Sequence, residues 1–337
     1  MRTKRIGLSA LALTASTGYA QTFYALDNGI SGDGHLAVNP DAFGAITDWT
    51  WPGNGDRYDP VDGPENTLAF ACSFFLYVPG ATSPTGTDER LAIAEPFADL
   101  DNFYNFQRGG SFDYGLEPTA PAPAVSDSDN DGFDDTLTAT FFARTFAPGV
   151  DLLFELTQTC EKPATTGSAV AVFRQVLTIT NREATPVPIE LHRHFDPFLQ
   201  WDGEFEDVAG TVRGPGGKII PYAREANGNP STGQVMSLTS PQDYNYTAAK
   251  SGDDPDGPGP DPAYAWGTDF QMWDNFGKPQ SWKNHTAFVG PGPACGEAPG
   301  RQPSGSLHPF DSFETIAFEV TVPASGSIVI EVHPHLW

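Results

Sequence analysis

From Leu137 onward the chain runs as a succession of apolar and β-branched segments of strand length, each closed by turn residues. Residues 137–144, 151–159, 169–180, 188–195, 313–322 and 327–333 all carry this pattern, whose short period and bounded length specify strands. Ala147-Pro148-Gly149 predicts a hairpin between the first two. Residues 181–185 predict a second hairpin between 177–180 and 187–190, and residues 323–326 join the last two strands. No segment between consecutive strands is a helical crossover of the length a βαβ unit requires, so the pairing is antiparallel. The expected fold class is all-β, an antiparallel β-sandwich with long Gly/Pro-rich loops.

The 35 glycines and 31 prolines supply those loops, while charged residues make up only 18%, too few for a disordered chain. Residues 21–118 read as a β-rich part of the sandwich or a small subdomain, with one strong strand at 67–78 and weaker ones at 23–26 and 35–38. The short apolar runs 91–94 and 103–106 fit helix or strand equally. Residues 119–136 form an acidic junction, and 137–337 the sandwich proper, interrupted by a turn-rich insertion at about 251–305 that opens with the acidic stretch 251–262.

Arg2, Lys4 and Arg5, an apolar run over 6–15, and the small residues Gly18 and Ala20 ahead of Gln21 make residues 1–20 a secretory signal peptide. The expected location is secreted or periplasmic, without membrane insertion, since no apolar run approaches the roughly 20 residues of a spanning helix. Three cysteines permit at most one internal disulfide; Cys72 and Cys160, both in strand-like segments, are the preferred pair, with Cys295 in a Gly/Pro-rich loop. A net charge of −25 excludes electrostatic binding to nucleic acid or an anionic membrane.

Asp127-Ser-Asp129-Asn-Asp131-Gly132-Phe133-Asp134-Asp135 places carboxylates at alternating positions, with a glycine at the sixth where the chain must turn sharply. Asp127, Asp129, Asp131, the Phe133 carbonyl and Asp135 are the candidate ligands, and oxygen donors of this kind select calcium. Thr138 stands where a full helix-loop-helix site carries its bidentate glutamate, and a strand follows, so the loop is not an EF-hand. Its expected role is to pin the junction ahead of Leu137.

His192-Arg193-His194 and His333-Pro334-His335 use four of only seven histidines. Residues two apart in a strand point to one face. If the two strands are neighbours, the four imidazoles can bind copper or zinc, with Asp196 and Glu331 nearby. Against this, Pro334 suggests a strand edge.

Trp49, Trp51, Tyr264, Trp266, Phe270, Trp273, Phe276 and Trp282 lie among Asp, Asn and Gly, where amphipathic rings can stack on sugars. No G-x-S-x-G elbow, P-loop, H-E-x-x-H or G-x-G-x-x-G signature is present, so the catalytic residues are unassigned and a binding or structural role is favoured over an enzymatic one.

The segments DSDNDGFDDTLTATF, VFRQVLTITNREATPVPIEL and HFDPF, with the closing FEVTVPASGSIVIEV, resemble a group of exported bacterial β-sandwich proteins. The Asp-rich loop itself resembles those of thrombospondin type 3 repeats and dockerins. Proteins of that group often end in a sorting signal, which this sequence lacks; the resemblance implies an extracellular sandwich and assigns no activity. The functional expectation is a secreted, calcium-stabilised binding or structural protein, with a polysaccharide or cell-surface partner. A copper or zinc metalloenzyme and a glycan-binding or glycan-active protein are the alternatives.

Overall fold

In the computed structural model, residues 23–44, 46–50, 57–58, 73–78, 90–92, 117–118, 121–146, 149–165, 170–195, 208–224, 235–252, 261–267, 296–297 and 310–336 are described. Among them there is no α-helix, and every pairing is antiparallel. The protein is an antiparallel β-sandwich.

The N-terminal strands are β1 (Leu26–Asp27), β2 (Ala37–Pro40), β3 (Ile46–Thr50), β4 (Arg57–Tyr58), β5 (Ser73–Tyr77), β6 (Arg90–Ala92), β7 (Glu117–Pro118) and β8 (Ala124–Ser126). The long central strands are β9 (Thr136–Phe146), β10 (Gly149–Glu161), β11 (Ala171–Asn181) and β12 (Val187–Phe195). Then come β13 (Val208–Arg213), β14 (Ile219–Arg224), β15 (Val235–Thr239), β16 (Asn245–Gly252), β17 (Asp261–Gly267), β18 (Gly296–Glu297), β19 (Phe310–Val322) and β20 (Ser327–Leu336). One sheet runs β18-β13-β14-β15-β20-β11-β10-β9-β7 with β8 also on β9, a second runs β17-β16-β19-β12-β5-β6, and β1 to β4 form a third.

The six strand segments read from the sequence all form. In β11, Ala171, Phe173, Gln175, Leu177, Ile179 and Asn181 are buried while the residues between them are partly open, the alternation that a sheet with one covered face imposes. Leu26, Leu36, Val38 and Ile46 belong to the same apolar core as Phe154, Phe173, Leu191 and Phe318. Each such side chain contributes about 1.5–3 kcal/mol when fully buried.

β9 and β10 form the expected hairpin, with Phe146 opposite Gly149. The other two expected hairpins do not form. β11 and β20 lie in the larger sheet, whereas β12 and β19 lie in the smaller one, so residues 181–185 and 323–326 are arches that carry the chain from one layer to the other. The arches lie side by side: the Asn181 backbone N–H donates to Gly326 O at 2.9 Å and the Ser325 N–H to Glu183 O at 2.9 Å. The buried Asn181 side chain holds both, its Nδ2 donating to Thr185 O, Val322 O and Pro323 O at 2.8, 3.3 and 3.1 Å, while its Oδ1 accepts the Glu183 N–H at 2.9 Å. Turn composition alone does not separate a hairpin from an arch, because the same residue types serve both.

The expected insertion at 251–305 is partly sheet. β16 and β17 pair with a bulge at one edge of the smaller sheet, and β18 pairs β13 at the edge of the larger one. Cys160 is a buried free thiol, so the expected Cys72–Cys160 disulfide is absent. Burial, with Asp27 and Asp135 nearby, pushes its ionisation well up, the environment of an inert structural cysteine. The signal peptide, Cys72, Cys295, residues 103–106, Trp51, Asp196, Phe270, Trp273, Phe276 and Trp282 lie outside the described residues.

Candidate functional site

The acidic loop leaves β8 and re-enters the larger sheet at β9. Its turn requires left-handed backbone at Asn130 (φ 63°) and Gly132 (φ 99°). Asp127 Oδ1 and Oδ2 accept the Asp131 and Gly132 amides at 3.1 and 2.8 Å, and Asp135 accepts both the amide and the hydroxyl of Ser128, at 3.0 and 2.8 Å. Donors within the loop thus orient the Asp127 and Asp135 carboxylates. One oxygen from each of Asp127, Asp129 and Asp135 lies within 4.8 Å of the others. Like charges at such a separation repel by about 1 kcal/mol per pair even in a water-like medium, which a divalent cation relieves. Further donors are at hand, because each carboxylate oxygen has lone pairs beyond those already engaged.

Asp131 departs from the expected set. Its Oδ1 accepts the Phe133 amide at 2.9 Å and its Oδ2 the Lys162 ammonium at 2.7 Å. Lys162, just beyond β10, also sits 2.6 Å from Asp129 Oδ2. The hydrogen bonds that Lys162 donates to Asp129 and then to Asp131 raise the lysine's pKa, and the latter bond is the first cause holding Asp131 below the usual carboxylate range. Nothing at the sequence level singled out Lys162, which is remote from the loop until β10 brings it alongside. The loop is stitched to its surroundings by Asp27 N–H to Asp134 O at 2.8 Å and Cys160 N–H to Asp135 O at 2.9 Å. It therefore joins β1 of the third sheet to β9 and β10 of the larger one.

The four histidines are not brought together. β12 has β19 and β5 as neighbours, and β20 has β11 and β15. Arg193 points inward, its Nε donating to Gln175 Oε1 of β11 at 2.8 Å, so His192 faces away from the larger sheet. In β20 the buried residues are Ile330, Val332, Pro334 and Leu336, which sends His333 and His335 to that sheet's outer face. His192 therefore lies on the covered face of the smaller sheet that is turned away from the larger one, and His333 and His335 on the outer face of the larger sheet. Pro334 does not mark an edge either: it lies opposite Leu238 of β15, and on the other side the β11 ladder passes from Val172↔His335 to Gln175↔Val332. That interruption is where a residue without an N–H has to sit in a central strand.

No family model and no curated protein matches the chain. Solved structures do. Among them is the crystal structure of a galactose mutarotase-like protein from Lactobacillus casei ATCC 334, 12% identical, aligned over 94% of this chain and 100% of that one with a TM-score of 0.39. The sandwich assignment stands on the strand pairing described above. No helix among the described residues is long and apolar enough to cross a membrane.

The structure also reveals a polar chain through the core that the sequence did not advertise. Gln158 Nε2 donates to Asp41 O at 2.7 Å, Gln175 Nε2 to Gln158 Oε1 at 2.7 Å, and Arg193 Nε to Gln175 Oε1. The guanidinium lies over Phe74 and Phe195, with its carbon 4.6 and 4.1 Å from the ring centroids. Arg193, Gln158 and Gln175 are all fully buried. Outside this chain, His192 Nε2 lies 3.6 Å from Glu190 Oε2, both buried, on the other face of the smaller sheet.

Proposed function

We propose that this is an exported β-sandwich protein, stabilised by one calcium ion at the Asp127–Asp135 loop, with a binding or structural role outside the cytoplasm. The observation that carries the reading is the convergence of Asp127, Asp129 and Asp135 at a loop that ties two sheets together. All available donors are oxygens, the set a hard cation takes, and calcium tolerates the irregular geometry that magnesium rejects. The likeness to exported sandwich proteins with Asp-rich loops supports the same location, as does the basic, then apolar, then small-residue pattern of residues 1–20.

Thermal unfolding of the exported protein with increasing calcium tests this. A ligand bound to the folded state alone stabilises by about 2.7 kcal/mol at a hundredfold excess over its Kd, so the midpoint rises saturably with calcium. Asp129→Asn removes the rise. A wild-type midpoint indifferent to calcium overturns the reading, and an N-terminus other than Gln21 on the exported chain overturns the leader assignment.

A glycan-binding reading draws on one placement: Tyr264 and Trp266 occupy alternate positions of the edge strand β17. Retention on insoluble polysaccharide, lost in Trp266→Ala, supports it; equal passage of both proteins removes it.

A further inference from the structure

On the outer face of the larger sheet, β20 presents Glu331, His333 and His335 in a row, each two residues from the next. β20 is flanked on both sides by paired strands, so the row stands on rigid backbone. The two imidazole centroids are 6.2 Å apart, with the rings inclined at 65°. Two imidazoles sharing one metal at about 2.0–2.1 Å have centroids about 4.5 Å apart at a right angle, about 5.2 Å at a tetrahedral angle and about 6.4 Å when opposed. At 6.2 Å the pair stands at the wide end of that span, and a tetrahedral ion would draw the two rings about 1 Å closer.

Each imidazole is anchored through its Nε2 nitrogen. His333 Nε2 is 2.8 Å from Glu331 Oε1, and a carboxylate can only accept, so that nitrogen carries the proton and Nδ1 carries the lone pair. Glu331 is itself held by Arg174 Nε at 2.7 Å, and Arg174 by Glu161 at 3.8 Å. His335 Nε2 is 2.8 Å from the Thr239 hydroxyl, which also lies 3.5 Å from the His333 carbonyl, so this ring too is anchored through its far nitrogen. A carboxylate or hydroxyl on the far nitrogen is the usual support of a metal-bound imidazole, because it sets the tautomer and raises ligand basicity. His333 is 25% exposed and gives the ion an approach from solvent.

We infer that His333 and His335 chelate one divalent transition metal, zinc or copper, with Glu331 and Thr239 as positioning residues and solvent completing the coordination. This site is independent of the calcium loop and does not involve His192 or His194.

Zinc titration of the intact mature protein in excess calcium, which keeps the Asp loop occupied, is the test. One site is expected, weakened at least about tenfold by either His333→Ala or His335→Ala. Glu331→Gln, which keeps the shape but removes the charge, costs about 10–100-fold in affinity, and His192→Ala changes nothing. Copper(II) loaded on the wild type gives an electron paramagnetic resonance spectrum with coupling to two imidazole nitrogens, a readout that needs no variant to fold. Unchanged zinc affinity in the His333→Ala/His335→Ala double variant overturns the site. So does weakening by His192→Ala equal to that by His333→Ala, or a copper spectrum with one nitrogen or none.

Discussion

Lys162 Nζ lies 2.6 Å from Asp129 Oδ2 and 2.7 Å from Asp131 Oδ2, so an ammonium group from the end of one strand neutralises part of a loop built for a cation. Lysine and a divalent ion then compete for the same oxygens, although the ion can also draw on Asp127 and Asp135. Lys162→Met removes the competitor. The variant is expected to bind calcium several-fold more tightly while its calcium-free form unfolds at a lower temperature, since the carboxylates lose their only intramolecular counter-charge among the described residues. Calorimetric titration and a melt in chelator measure the two effects; weaker calcium binding would show that Lys162 organises the loop instead of competing for it.

Asn181 is the clamp between the two arches. Its four side-chain hydrogen bonds span both crossings, and the residue is fully buried. Asn181→Ala leaves several main-chain groups without their partner at a cost of about 2–3 kcal/mol. Denaturant unfolding should show a lower midpoint with an unchanged slope; a loss under about 0.5 kcal/mol, the range of ordinary surface changes, would contradict the clamp.

Gln175 stands midway in the core chain, donating to Gln158 and accepting from Arg193. Gln175→Leu is close in size but removes the acceptor of a charge-assisted bond in a dry interior, with an expected loss of about 2–3 kcal/mol. Replacing Gln158 in the same background is predicted to be non-additive, because both changes break one network. A double-mutant cycle that sums within about 0.5 kcal/mol would argue against coupling.

Gly44 threads between the sheets with φ +96°, and a Cβ there would meet Phe74 at 2.7 Å and Leu156 at 3.3 Å. Gly44→Ala combines a disfavoured backbone conformation with overpacking against a buried ring. The expected destabilisation is about 2–4 kcal/mol, read as a lower unfolding midpoint; a neutral result would mean that the 41–44 turn can move off Phe74.

The strands of the C-terminal half were legible because burial on one face imposes a period of two, visible in β11 as Ala171, Phe173, Leu177 and Ile179. The Asp loop was legible because its ligands are contiguous. The partner of the loop was not: Lys162 is 31 residues from Asp131 and becomes a neighbour only through the β9–β10 hairpin. Arg193 was hidden for another reason. A charged residue between two histidines reads as solvent-facing, and only the acceptor from β11 and the flanking Phe74 and Phe195 rings make its burial intelligible.

Alternation along each strand, the acidic loop and the spacing within each His-x-His pair belong to the sequence by itself, since each depends on residues within a few positions of one another. Which sheet a strand joins belongs to the tertiary structure. A turn that closes a hairpin keeps its two strands in one layer, while an arch of similar composition sends the second strand to the opposite layer. At Asn181 and Pro323 the chain takes the arch, and that choice puts His192 and His333 in different sheets, on faces turned away from each other. Contacts across the two arches, made between residues more than 140 positions apart, favour that geometry, and no local pattern encodes them.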